Sequence, residues 1–185
     1  MSKTAFLLLL LAFSSCSLKY DENPSGTDSS PELEFKDADY KKYEDNKLST
    51  QIQAQTLEQY KDSSAYAKDA RFKTWNSGGD LLTEGYCALL GINSDTKIYT
   101  LFNEIFINNI EQNFKINAES LKWNSETKQM VSTKDGNVKL TRSDIEIQGS
   151  GFSASGTSKS FEFANPVTGT ITTNDESGEE DFSEK

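Results

Sequence analysis

The side chains able to do chemistry are few. The 185-residue chain has no histidine and two cysteines, Cys16 and Cys87. Without imidazole there is no Ser-His-Asp or Cys-His nucleophile pair and no imidazole metal site. Two thiols make neither a four-thiolate zinc site nor a disulfide-dense scaffold. Acidic residues number 29 against 19 Lys and Arg. They fall at outward strand positions or in the tails, and no pair stands out as facing across a cleft, as glycoside hydrolysis requires. No Gly-rich loop opens a helix, so the phosphate-cradling motifs are missing. Asp135-Gly136-Asn137 reads as a hairpin turn, because the further spaced acids of a calcium loop are absent. The expectation is no catalytic residue, no metal and no cofactor. Trp75 and Trp123 can stack on sugars or rim an apolar opening, and packing in a core or at a sheet edge is the other reading. A formal charge of −10 argues against nucleic acid as a partner, since sequence-independent binding needs a basic face.

Cys16 has a telling context. Lys3 precedes an apolar run over residues 5–13, centred on Leu7, Leu8, Leu9, Leu10 and Leu11, and Phe13-Ser14-Ser15-Cys16 follows. The run is far shorter than the ~20 residues of a spanning helix. A cationic start, an apolar run and small residues before a cysteine resemble a bacterial lipoprotein signal, in which cleavage leaves the cysteine sulfur carrying diacylglycerol. An ordinary cleaved signal peptide with an unmodified Cys16 is the alternative. Phe13 stands where Leu, Val or Ile is usual, and relaxed motifs of this kind occur in some bacterial phyla, spirochaetes among them. Each buried acyl CH₂ contributes about 0.8 kcal/mol and one chain binds only reversibly, so stable anchoring takes two or more chains. Residues 1–15 are then the signal peptide and Cys16 the lipid attachment site. Cys87, within Tyr86-Cys87-Ala88-Leu89-Leu90, is left without a partner and reads as a buried, inert thiol.

The elements that would position any site are strands. Residues 16–30 are polar and turn-rich and form a tether behind the anchor. Residues 175–185 hold six acids and one Lys, half of the net charge, and read as a solvated, disordered tail. Between them, residues 31–174 make one domain in which apolar residues recur at a period of two. Leu48, Ile52 and Ala54 alternate with polar neighbours, as do Ile105 and Ile107, Phe114 and Ile116, Leu121 and Trp123, Val138 and Leu140, Ile145 and Ile147, and Phe161 and Phe163. Alternation of this kind puts one set of side chains on a single sheet face. Turn signals separate the runs at Asn76-Ser77-Gly78-Gly79-Asp80, Asn93-Ser94-Asp95, Asn108-Asn109, Asn124-Ser125, Asp135-Gly136-Asn137 and Gly149-Ser150-Gly151. Spacings of about 8–12 residues between turns predict an antiparallel sandwich, roll or barrel. Residues 57–71 would tolerate a helix, but two strands with a turn at Asp62-Ser63-Ser64 are preferred. Trp75-Asn76-Ser77 and Trp123-Asn124-Ser125 form a weak internal echo that stacked hairpins or coincidence would explain. A one-sided apolar sheet seals a core or leaves an interior that accepts lipid chains, and periodicity does not separate these.

The stretch Leu101-Phe102-Asn103-Glu104-Ile105-Phe106-Ile107, followed by Phe114-Lys115-Ile116-Asn117-Ala118-Glu119-Ser120-Leu121-Lys122-Trp123-Asn124, resembles the LptC family of lipopolysaccharide-export proteins. So does Ile147-Gln148-Gly149-Ser150-Gly151-Phe152-Ser153-Ala154-Ser155-Gly156, where Gly149, Phe152 and Gly156 match the family's strand-end pattern. Glu84-Gly85 fits an earlier strand. The resemblance implies an all-β, open antiparallel β-jellyroll with two facing sheets. It implies a carrier, not an enzyme, in the periplasm at the inner membrane. The partners would be a glycolipid of lipopolysaccharide or lipooligosaccharide type, the inner-membrane ABC transporter subunits, and a neighbouring jellyroll bridge protein joined by strand-edge pairing. The chain departs from well-known members, which hold themselves by a membrane-spanning helix, in presenting Cys16 instead. Its Ser17 would send a lipoprotein to the outer membrane under enterobacterial sorting. Candidate groove residues are Ile105, Ile107, Phe114, Ile116, Leu121, Trp123, Val138, Leu140, Ile145, Ile147, Phe152, Phe161 and Phe163. Gly149 and Gly156 would serve tight turns or close backbone approach. The competing reading is a closed β-sandwich lipoprotein for protein binding or adhesion.

Overall fold

The computed structural model describes residues 30–172. The expected signal peptide, Cys16, most of the expected tether and the acidic tail lie outside the described residues. The strands are β1 (Leu33–Glu44), β2 (Lys47–Gln59), β3 (Ser64–Trp75), β4 (Leu81–Asn93), β5 (Ile98–Asn109), β6 (Phe114–Asn124), β7 (Gln129–Ser132), β8 (Asn137–Arg142), β9 (Ile145–Ser150), β10 (Phe152–Ser155), β11 (Ser160–Phe163) and β12 (Thr168–Ile171). Every pairing among them is antiparallel. Residues 57–71 form the end of β2 and the start of β3, with the turn at Asp62-Ser63 as expected. Asn108 and Asn109 are the last residues of β5 and not the turn itself. Asn109 Oδ1 instead accepts the Gln112 N–H at 2.8 Å and so shapes the turn that follows.

The sheet is a meander from β1 to β6 and then forks. β7 pairs with residues 121–124 of β6, and β8 pairs with residues 115–118. From β7 the path continues to β10 and β11, and from β8 to β9 and β12. The fork lies on a crease that crosses all the earlier strands. Pairing skips a position at Asp37 on β1 and at Asp69 on β3, and the register shifts between Tyr86 and Leu89 on β4 and between Phe102 and Ile105 on β5. Asp37, Asp69, Asn103 and Glu104 carry the positive φ that this bend requires, between 50° and 55°. Asp and Asn tolerate that region better than other L-residues. A bulge of this type bends the strand and increases its twist.

The crease explains which side chains face inward. Ile52 and Ala54 are followed by Leu57, Ala67 by Ala70 and Phe72, Cys87 by Leu90, and Ile116 and Ala118 by Leu121. All belong to one apolar cluster. The period of two gains one residue as each strand crosses the crease, so both half-sheets turn the same face inward. After β6 the chain crosses by outright breaks between β7 and β8, β9 and β10, and β11 and β12. Gly151, with φ 68°, makes one of these crossings; a Cβ there would sit 2.8 Å from the Ala164 Cβ. The product is a single sheet folded on itself, the open β-jellyroll with two facing layers. Among the described residues nothing pairs with the outer edges of β1, β11 or β12.

Turns along one rim share a pattern that alternation did not expose. Asn93-Ser94-Asp95-Thr96-Lys97 and Asn124-Ser125-Glu126-Thr127-Lys128 occupy equivalent hairpins. In each, the Asn Oδ1 accepts two backbone N–H groups, from Asp95 and Thr96 or from Glu126 and Thr127, at 2.9–3.1 Å. Each ends on a lysine of positive φ, as does the next hairpin at Lys159. The Trp-Asn-Ser echo is different in kind, since Trp75-Asn76-Ser77 turns at the opposite rim.

Candidate functional site: an apolar cavity between the half-sheets

A cavity of about 780 Å³ lies between the two half-sheets. This is within the ~300–1,000 Å³ range of small-molecule sites. Its floor on one half is a cross-strand row in which Ile52 opposes Phe72, Phe72 opposes Gly85, Gly85 opposes Ile107, Ile107 opposes Ile116, and Ile116 opposes Leu140. The other half contributes Leu90, Leu101 and Phe152. Gly85 is required where it is, because the Phe72 ring crosses it. A Cβ would lie 2.5 Å from the Phe72 Cζ and 2.4 Å from the Phe106 carbonyl oxygen.

Of the residues expected to line a groove, Ile107, Phe114, Ile116, Trp123, Leu140, Phe152 and Phe161 do line this cavity. Ile105, Leu121 and Val138 are buried at 0–2% exposure beside the crease, where the halves converge and leave no room. Ile147 and Phe163 are half-buried. Ile145, at 36% exposure, begins β9 at the rim, past the last buried row. Gly149 lies under Phe163 and Val167, whose carbons would be 3.0 and 2.8 Å from a Cβ, so it is a close-approach position. Gly156 lines the cavity at a hairpin and donates its N–H to the Lys128 carbonyl at 2.8 Å. Trp123 rims the opening, whereas Trp75 ends β3 beside a bulge and is not part of the lining. Phe106 is on the outer face, stacked on Tyr86 at 5.6 Å. Sequence reasoning missed Leu90, Tyr99 and Met130, which line the cavity, and it did not place Ile52, Phe72 or Leu101 in the groove, although they line it too.

The charged residues around the cavity are Lys42, Arg142 and Lys159 against Glu111. The mouth is thus positive in a chain whose formal charge is −10, a local field that the total conceals. Glu44 accepts from Lys42 Nζ at 2.6 Å and holds the Lys42 pKa above its usual value. The Tyr99 phenol, from the other half-sheet, adds a smaller push in the same direction.

Cys87 is buried beside the crease at 2% exposure. Burial pushes its thiol up to about 12, and a backbone hydrogen bond from Phe102 offsets only part of this. At pH 8 about one thiol in ten thousand would then be thiolate, against roughly a quarter in an unfolded chain. Iodoacetamide should therefore leave Cys87 of the native protein unlabelled and modify it rapidly in urea. Equal labelling rates in the two states, read by mass spectrometry, would contradict the inert-thiol assignment.

Residues 5–172 match the family described as "Lipopolysaccharide-assembly, LptC-related". An uncharacterized protein of Treponema pallidum (strain Nichols) is similar at 23% identity over 163 residues, covering 87% of this chain and 82% of that protein. That relative comes from a spirochaete, in keeping with the leaning of the sequence. Among solved structures, the fold is similar to LptH of Pseudomonas aeruginosa, described as the LptA homologous periplasmic component of the conserved lipopolysaccharide transport device. The TM-score is 0.53 at 11% identity, over 67% of this chain and 95% of that one, so the likeness is one of fold. With the family match running through the folded sheet and the sheet enclosing an apolar cavity, the chain belongs to the LptC-related lipopolysaccharide-assembly family.

Proposed function

We propose that the cavity carries the acyl chains of a lipopolysaccharide- or lipooligosaccharide-type glycolipid. The observation that supports this is the 780 Å³ of apolar-floored space between the half-sheets, which a closed sandwich would have filled with side chains. The chain receives the glycolipid from inner-membrane ABC transporter subunits and passes it towards the outer membrane. It performs no chemistry of its own; the transporter supplies the energy. A lipid on Cys16 anchors the domain, taken as residues 31–174, most simply to the inner membrane, with the polar tether giving it reach.

Neighbouring jellyrolls join at the strand edges. Leu33, Phe35, Tyr40 and Tyr43 on β1 are 47–59% exposed, and at the other end Phe161 and Ile171 are 43% and 67% exposed. These side chains continue the rows that line the interior. A strand added to either edge would extend the apolar trough and pair the free backbone groups at the same time.

Photocrosslinking in cells tests the carrier reading. A photoreactive aromatic residue at Phe114, half-buried in the cavity wall, should yield glycolipid adducts, as should one at Ile116. Lys115, exposed on the outer face, should yield none. Absence of adducts at all positions in folded, membrane-bound protein would overturn the carrier and leave a protein-binding lipoprotein.

A further inference from the structure

The two rims of the cavity differ in chemistry. On one, Thr50 opposes Thr74, Thr74 opposes Thr83, and Thr83 opposes Asn109. All four residues are half-buried and line the cavity. Among the described residues the three threonine hydroxyls make no hydrogen bond to protein and remain open to water. On the facing rim, Tyr99 opposes Trp123, Trp123 opposes Met130, Met130 opposes Ala154, and Ala154 opposes Phe161. These too line the cavity.

Threonine suits a strand, and cross-strand threonine pairs are ordinary in sheets. That accounts for the residue type but not for a run of hydroxyls on the cavity side of adjacent strands. An acyl chain laid against them would strip their water and return no hydrogen bond. A ligand with its own hydroxyls at that depth would satisfy them. The opposite rim offers ring faces, which favour the C–H side of a polar ring over water. A ligand that is hydroxyl-rich on its edge and apolar on its face is a pyranose.

We propose that the rims form a saccharide-binding slot. The acyl chains lie in the cavity, and the sugar ring nearest them sits between the lips. Thr50, Thr74, Thr83 and the Asn109 amide bond its hydroxyls, and Trp123 packs on its face. This deepens the lipid-carrier reading and rests on it. It makes the protein selective for glycolipids over other amphiphiles of equal chain length.

The test compares two amphiphiles with the same twelve-carbon chain, n-dodecyl-β-D-maltoside and octaethylene glycol monododecyl ether. Each is titrated below its micelle concentration into the full chain by calorimetry. The maltoside should bind about tenfold more tightly than the ether, the worth of one or two net hydrogen bonds. The triple substitution Thr50→Val, Thr74→Val, Thr83→Val keeps the side-chain shape and should abolish the preference, bringing the two amphiphiles' affinities within about twofold of each other. Trp123→Leu provides a second variant, with the same expected loss of preference, should the triple variant not fold. Equal binding of both amphiphiles to the unaltered chain would overturn the slot and leave the carrier standing. A maltoside preference that survives in the folded variants would also overturn it. If neither amphiphile bound, the carrier reading would fall and the slot with it.

Discussion

Phe152→Ala should destabilise the domain by about 3 kcal/mol, the low end of the ~3–5 kcal/mol expected for emptying a buried phenylalanine site. Phe152 is 2% exposed and joins the apolar cluster. Its ring centroid lies 5.3 Å from that of Phe163 and 6.5 Å from that of Phe161, and those two rings meet edge to face at 6.3 Å. Such pairs add roughly 0.5–1.5 kcal/mol beyond burial. The low end applies because one side of the ring faces the cavity rather than packed protein. The backbone contribution of the position, the Phe152 N–H donated to Ser132 Oγ at 2.9 Å, survives the substitution. Urea unfolding of lipid-free protein should show a lower midpoint with an unchanged slope. Phe152→Leu should lose only about 1 kcal/mol, and folded Phe152→Ala protein should still bind a hydrophobic dye, because the cavity has grown. A loss below about 1 kcal/mol for the alanine variant would mean that β10 and β11 are not held down by this aromatic group.

That group also shows what was readable in advance. Phe161 and Phe163 stand out by alternation, as do Ile107, Phe114, Ile116 and Leu140, whereas Phe152 comes from the family's glycine–phenylalanine pattern. The strands, most of the turns and the antiparallel character follow from the period of two. The fold in the sheet does not, although its trace is in plain view. Ile116 and Ala118 share one parity, Leu121 and Trp123 the other, and the step of three between Ala118 and Leu121 is the crease. Alternation taken run by run treats such a step as a boundary between strands, whereas β6 continues through it. Burial of Ile105, Leu121 and Val138 beside the crease, away from the cavity, follows from the same bend.

The rim residues were hidden for another reason. Threonine and asparagine carry no apolar signal, so Thr50, Thr74, Thr83 and Asn109 resemble any solvent-facing strand positions. Only the register, which sets them opposite one another across β2 to β5, makes them a lip. Tyr99 and Met130 escaped because each is the second residue of its strand, too close to a turn to show an alternating run. Net charge misled in a similar way. Half of the total of −10 sits in the tail, while the cavity mouth gathers Lys42, Arg142 and Lys159 against Glu111.

The crease can be tested directly at β5, where Asn103 and Glu104 both take positive φ, 55° and 50°. Both side chains are exposed, so replacing them removes little packing and isolates the backbone. The left-handed region costs an ordinary L-residue roughly 1–2 kcal/mol, and a β-branched residue tolerates it least. The double substitution Asn103→Val, Glu104→Val should therefore cost about 2–4 kcal/mol by urea unfolding. Asn103→Gly, Glu104→Gly should stay within about 1 kcal/mol of the unaltered protein, because glycine removes the steric strain while adding entropy to the unfolded chain. The contrast between the two pairs matters more than the sizes. If valine straightened β5 without unfolding the domain, the pairing of Ile105 with Ala118 and Ile107 with Ile116 would slip. A one-residue slip turns every inward side chain outward, and dye binding in the cavity would fall with it. Valine variants as stable as the parent, or glycine variants much weaker than it, would show that the bend is imposed by the two facing layers and not by these residues.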